Sequence, residues 1–192
     1  MNPVHASWVL AALRILAPAS PFAETFDDTA VAIAAESNAA PLFAGPDGPK
    51  ETAALVASLG WFESSLNPAA EGDCDRTKKD GTCEAGSRPH SFCLLQIHES
   101  NHAGLGVTRA ELLSDVRACV RAGLRMMRQS LALCRSRPLE ERLRWYAAGG
   151  STCSGDNEDA ARKSRHRVLK GKWLLARTEQ AWTELGARPP EE

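Results

Sequence analysis

Apolar residues recur every three to four positions over most of this chain, and polar runs separate the stretches in which they do. Val9, Leu10, Leu13 and Leu16 follow helical spacing and predict a first helix within Trp8 to Ala17. Thr25 to Ala40 predicts a second, with Ala30, Val31, Ile33 and Ala34 apolar and Thr25, Asp27 or Asp28 as its cap. Pro41 to Pro49 holds three prolines, two glycines and an aspartate and reads as a loop, with Phe43 anchored on the core. Lys50 to Leu66 predicts a third helix. Pro49 suits its start, and Pro68 ends it by pushing Asn67 out of the helical region. Ala69 to Pro89 is polar and rich in Gly, Asp and Lys, hence a loop. His90 to His98 is an apolar run that predicts a short, largely buried strand or extended segment.

Thr108 and Glu111 match a capping box. Asp115 to Cys134 predicts a long amphipathic helix. Val116, Val120, Leu124, Met127 and Leu131 form its inner stripe, and Arg117, Arg121, Arg125 and Arg128 its outer one. Pro138 opens a further helix that runs through Trp145 and Tyr146 to Gly149-Gly150, and Ser151 to Asn157 is a loop holding Cys153. The last helix covers Glu158 to Leu185, with Val168, Leu169, Trp173, Leu174, Ala181 and Trp182 facing inward. The expected class is mainly α (α+β), with a small β or extended segment. Residues 1–49 supply N-terminal helices that pack on the core, 50–185 the main body and 186–192 a tail, all in one structural domain.

Composition narrows the function. A net charge of −1 supplies no global positive field, which argues against a general nucleic-acid binder. The cations from Arg162 to Lys172 read as a solvated helix face rather than a site for an anionic polymer. No apolar stretch approaches the length of a membrane span. Met1 to Ser7 has no Lys or Arg, and Arg14 interrupts the apolar run behind it, so a secretory signal is a poor match. Six cysteines with no CxxC pair point to disulfides and an oxidising compartment rather than to a zinc or redox site, the alternative being buried free thiols. His90, His98 and His102 lie near one another without HExxH spacing, and no Gly-rich phosphate loop occurs, so no metal and no cofactor are expected.

The chemistry centres on Glu63. It follows Leu59 by four residues and Val56 by seven, so the three share one helical face. That face is apolar, which sets the carboxylate at the edge of the core, on the last turn of its helix. Desolvation favours the protonated carboxyl, the form that can donate a proton to a glycosidic oxygen. The plain alternative is an ordinary last-turn glutamate. Gln96 is the one large polar group within the 90–98 run; it needs partners, and the default is protein backbone.

Three pieces stand in order: Glu-Ser-Ser-Leu-Asn-Pro at 63–68, Cys-Leu-Leu-Gln-Ile at 93–97 and Trp-Tyr-Ala-Ala-Gly at 145–149. Together they resemble the lytic transglycosylase (SLT domain) and goose-type lysozyme superfamily over about residues 50 to 175. Cys153 and the Lys-Ser-Arg-His-Arg run at 163–167 lean toward its phage-related lysozyme-like members. The resemblance implies a lysozyme-like helical domain with a cleft. It gives Glu63 the general acid/base role and makes Ser64, Gln96 and Tyr146 substrate-binding residues. It implies peptidoglycan glycan strands as the partner, cleaved between N-acetylmuramic acid and N-acetylglucosamine by a monomer that is periplasmic or secreted, by a non-classical or phage-type route. Cys93 stands where the family has glycine, and Ala147 where it has asparagine, which removes an amide from the sugar site.

With a single acid in these pieces, the expected outcome is a lytic transglycosylase. The sugar's own C6 hydroxyl attacks, and a 1,6-anhydro product results. Glu71, Asp73, Asp75 and Glu84 read as solvated loop residues; a Cys74–Cys83 bridge that held Asp73 or Asp75 over the cleft would instead favour a hydrolase. An inactive lysozyme-fold binder of glycan or of another protein, or a structural module, are the competing classes. For the cysteines, one continuous helix separates Cys119 from Cys134 by about 22 Å, too far to bridge. An antiparallel return after Pro138 predicts Cys119–Cys153 beside Cys74–Cys83, leaving Cys93 and Cys134 as a third pair.

Overall fold

A computed structural model of the chain describes residues 1–79, 83–148, 153 and 157–184. Five long helices make the body: α1 (Ala6–Leu16), α2 (Phe26–Ala39), α3 (Gly48–Ser64), α6 (Val116–Leu133) and α8 (Glu158–Glu184). Short helices α4 (His102–Leu105), α5 (Arg109–Ser114) and α7 (Arg144–Ala148) connect them. Three two-residue strands, β1 (Glu71–Gly72), β2 (Ser91–Phe92) and β3 (Ile97–His98), form an antiparallel sheet in that order. The fold is therefore mainly α with a small sheet.

Helix α3 is the axis of the molecule. Thr52 through Gly60 are buried without a break, which is the pattern of a helix apolar all round rather than on one stripe. Helix α8 runs along it at close range. A side chain at Gly171 would meet the Leu55 backbone at 3.2 Å, and the Ser58 hydroxyl donates to Arg167 O at 2.9 Å. Helices α1 and α2 also pack on α3, and the Trp8 indole of α1 donates to Glu179 of α8 at 2.7 Å. Glu36 on α2 is buried and accepts from both Arg117 and Arg121 of α6 at 3.0–3.1 Å. Burial pushes its carboxyl up, but the two guanidiniums outweigh that and hold it below its usual range. One apolar core runs from Val4 to Leu174, so the N-terminal helices share it with the rest.

The 90–98 run departs from the expected strand. It is a hairpin: β2 pairs with β3 in the register Ser91 to His98 and Phe92 to Ile97, while Cys93 and Gln96 take left-handed φ of 69° and 49° and reverse the chain. Its tip, Leu94-Leu95, is buried. Leu94 lies against Gly60 of α3 and Leu95 against Gly123 of α6, where an added Cβ would meet side-chain carbons at 3.0 and 2.2 Å. The apolar run is thus a plug driven between two helices, which is why it carries no period-two alternation.

The helix expected from Pro138 onward is not continuous. After Pro138 the chain forms a single 3-10 turn at Leu139–Glu141 and then only the five residues of α7. Arg142 O and Tyr146 N–H meet the Ser130 hydroxyl at 2.8 and 3.1 Å, about one turn back from the end of α6, and Arg137 Nε donates to Cys153 O at 2.9 Å near that end. Cys153 therefore bridges Cys134, with Cα atoms 5.0 Å apart, and not Cys119. Cys119 instead meets Cys93 on the buried hairpin at 6.1 Å, and Cys74 bridges Cys83 as expected at 5.6 Å. Three bridges mark a chain that folds where thiols are oxidised. On α8, Leu169 and Trp173 face solvent rather than the core, whereas Val168 and Leu174 are buried as expected. No helix among the described residues is long and apolar enough to cross a membrane. The tail at 186–192 and Gly149-Gly150 lie outside the described residues.

Candidate active site

Helix α3 stops one residue after Glu63. Ser65 and Leu66 adopt left-handed φ of 54° and 67°, and the Leu66 N–H turns back to Gly60 O at 3.1 Å. Buried Leu66 fixes this closure, so the helix ends before Pro68 acts. The turn leaves Glu63 at the rim of the core with 18% of its side chain exposed. Arg167 of α8, also largely buried, donates from Nε and Nη2 to the same oxygen, Oε1, at 2.9 and 2.6 Å. Oε2 takes part in neither bond. Burial pushes the Glu63 carboxyl above its usual range; the Arg167 charge opposes this, and the nearby charge of Asp73 adds to the rise.

Glu63 lines a cleft of about 560 Å³ between α3, α7 and α8 on one side and the small sheet on the other. Asp73, Ser91, Gln96, His98, Asn101, Trp145, Tyr146, Lys163 and Arg167 share its walls. Asp73 directly follows β1 with a left-handed φ of 49°, and it accepts a hydrogen bond from the Ser91 hydroxyl on the neighbouring strand. The cleft thus presents two carboxylates of unlike setting. Glu63 is desolvated and pushed toward the acid form; Asp73 is held by a hydroxyl at the sheet edge.

Gln96 and Tyr146 both line the cleft, and each is also tied to the hairpin. Gln96 Nε2 donates to Cys93 O at 3.1 Å, and the Tyr146 hydroxyl donates to Leu95 O at 2.8 Å. Burial pushes the Tyr146 phenol well above its ordinary range, so it remains a neutral donor. Ser64 sits behind the cleft wall: its hydroxyl lies 2.9 Å from both Gly60 O and Leu94 O, fastening the end of α3 to the plug. Its contacts are with protein backbone.

The loop leading to the sheet is stitched down by His90. Its Nε2 meets Asp75 and its Nδ1 meets Glu99, each at 2.7 Å, and Arg88 donates to Glu99 at 2.8 Å. The hydrogen bond to Asp75, then that to Glu99, raises the His90 pKa, while both carboxylates are lowered. Asp75 is thereby turned to the outside of the loop, and Asp73 alone of that pair lines the cleft. Among the described residues, no group of His, Cys, Asp or Glu side chains is arranged to hold a metal ion.

Asp73, Lys163 and Arg167 line the cleft although the sequence reads all three as solvated. For Arg167 a signal existed. Ala160, Ala161, Ser164, Val168, Gly171 and Leu174 form the buried stripe of α8, and Arg167 falls within it at helical spacing. A cation in a buried stripe requires an anion opposite. For Asp73 the only local sign is its place next to Cys74, whose bridge to Cys83 anchors the loop. A search of family models, curated proteins and solved structures found no match to this chain.

Proposed function

We propose that the chain is a lysozyme-like glycosidase that cleaves peptidoglycan strands between N-acetylmuramic acid and N-acetylglucosamine, with Glu63 as the general acid. The observation that carries this reading is a largely buried carboxylate, its pKa raised by burial, that shares a polar cleft with a second carboxylate. Glycosidic cleavage needs one proton donor and one group to manage the nucleophile. Glu63 Oε2, outside the grip of Arg167, gives its proton to the leaving oxygen. Asp73 takes a proton from the attacking water, and Ser91 orients it. The presence of Asp73 in the cleft therefore favours hydrolysis, giving a new reducing end. Attack by the sugar's C6 hydroxyl, the route of a lytic transglycosylase, needs Glu63 alone and is the second outcome open to the same site.

Three bridges suit a protein that works in a periplasm or outside the cell, where its substrate lies. A non-cleaving glycan binder is the second functional reading, favoured by the Arg167–Glu63 ion pair, which draws Glu63 toward its ionised form. Glu63→Gln decides between them. It keeps the shape and an acceptor for Arg167 but has no proton to give, so lysis of purified sacculi falls by about 10²–10⁴. A wild-type chain that binds sacculi and releases no soluble sugar, or a Glu63→Gln variant that still lyses them, overturns the proposal.

A further inference from the structure

Phe62, Leu169 and Trp173 stand 38%, 52% and 45% exposed, and together with Trp61, His166 and Lys170 they form one continuous surface on α3 and α8. So much apolar and aromatic area in one place on a chain with a full core of its own marks a binding surface. Its rings are also held in place. The Lys170 ammonium lies 3.7 Å from the Trp173 ring centre and 5.3 Å from that of Trp61, so one cation sits between two indoles. Trp61 in turn meets Phe62 edge-on at 4.8 Å. A platform fixed in this way loses little freedom on binding.

The platform joins the cleft through a single residue. The Arg167 guanidinium that grips Glu63 also lies over the Phe62 ring, 5.7 Å from its centre. Lys163 and Arg167 line the cleft, and Lys170 follows at helical spacing on the platform, so cations lead from one to the other along α8. Flat rings stack on the C–H faces of pyranose sugars, and the cations complement the carboxylates borne by peptidoglycan peptide stems. We propose that the Trp61–Trp173 platform is an accessory glycan-binding site, which holds the anionic peptidoglycan strand where it leaves the cleft. This rests on the proposed function for its ligand class, but not on cleavage taking place.

The test measures binding and cleavage separately. In the Glu63→Gln background, pelleting with purified sacculi reports binding alone. Trp173→Ala and Lys170→Gln, both at the surface, each weaken it about tenfold. In the otherwise wild-type chain, Trp173→Ala slows lysis of sacculi while cleavage of a soluble glycan fragment short enough to fill only the cleft stays within about twofold. Pelleting that is the same with and without Trp173 overturns the site. So does a wild-type dimer that Trp173→Ala disperses while sacculus binding is unchanged, which would assign the platform to protein contact. A wild-type chain that cleaves nothing, yet needs Trp173 to bind sacculi, refutes the cleavage reading and supports the platform.

Discussion

Arg167 donates two hydrogen bonds to one oxygen of Glu63 and none to the other. The arginine therefore opposes burial in setting the acidity of that carboxyl without occupying the oxygen that can carry the proton. A general acid works only while protonated, so in the proposed mechanism activity is lost as pH rises through the Glu63 pKa. Removing Arg167 removes the effect that lowers that pKa, and the carboxyl becomes a weaker acid. In Arg167→Gln the alkaline limb of the activity profile moves to higher pH, while Arg167→Lys keeps the charge and stays nearer to wild type. A pH–rate profile of the three proteins checks this. A limb that moves to lower pH in Arg167→Gln, or does not move, shows that the pair does not set the acid.

The bridges should differ in their effect on stability. In the chain-entropy view a bridge stabilises more when it closes a longer loop. The separations of 26 residues for Cys93–Cys119, 19 for Cys134–Cys153 and 9 for Cys74–Cys83 correspond to about 3.5, 3 and 2.5 kcal/mol. Cys93 and Cys119 are also fully buried. Replacing both by alanine lowers the denaturation midpoint most, and replacing Cys74 and Cys83 least. Peptide mapping without reduction should recover the same three pairs; a Cys119–Cys153 peptide would refute the pairing.

The helical frame was legible because its apolar spacing is regular. Val56, Leu59 and Glu63 fall on one face as read, and the Thr108–Glu111 capping box forms as read. What spacing could not show was where the chain reverses. Phe92 to Ile97 carries the composition of a buried strand, and only the left-handed backbone at Cys93 and Gln96 turns it into a plug. No residue type there announces a turn, since neither position is glycine. The same limit misplaced Cys153, whose partner depends on the chain after Pro138 forming a five-residue helix rather than one continuous helix to Gly149. In the site, Glu63, Gln96 and Tyr146 were legible as motif residues. Asp73 was not, because its place in the cleft comes from a strand pairing between Gly72 and Ser91 that joins distant parts of the chain.

Gly123 links the plug to the site. An added Cβ would lie 2.2 Å from Leu95 Cδ1, so Gly123→Ala must displace the hairpin tip or part α6 from it. Overpacking of this kind costs about 1–3 kcal/mol. The Leu95 carbonyl receives the Tyr146 hydroxyl, and Gln96 follows in the chain, so the shift reaches the cleft. The variant should lose stability in urea titration and, where still folded, also lose activity. Full activity with wild-type stability would show that Leu95 has room to move, contrary to the packing described.

In the proposed mechanism, Asp73 decides what the reaction yields. Its backbone is held by the end of β1, its carboxylate by Ser91, and it shares the cleft with Glu63. If it serves water as a base, wild-type products carry a reducing end and are heavier by one water than anhydro sugars. Asp73→Asn keeps the shape and the contact with Ser91 but cannot accept the proton. Hydrolysis then falls by about 10²–10⁴. Glu63 still protonates the leaving oxygen, and the C6 hydroxyl of the same sugar remains in place as an intramolecular nucleophile, with an effective concentration that can reach about 10⁵ M or more. The surviving activity should therefore shift toward 1,6-anhydro products. Mass spectrometry of digested sacculi reads both species in one experiment. Anhydro products from the wild-type protein, unchanged in Asp73→Asn, would assign the transglycosylase route to this cleft and leave Asp73 outside the chemistry.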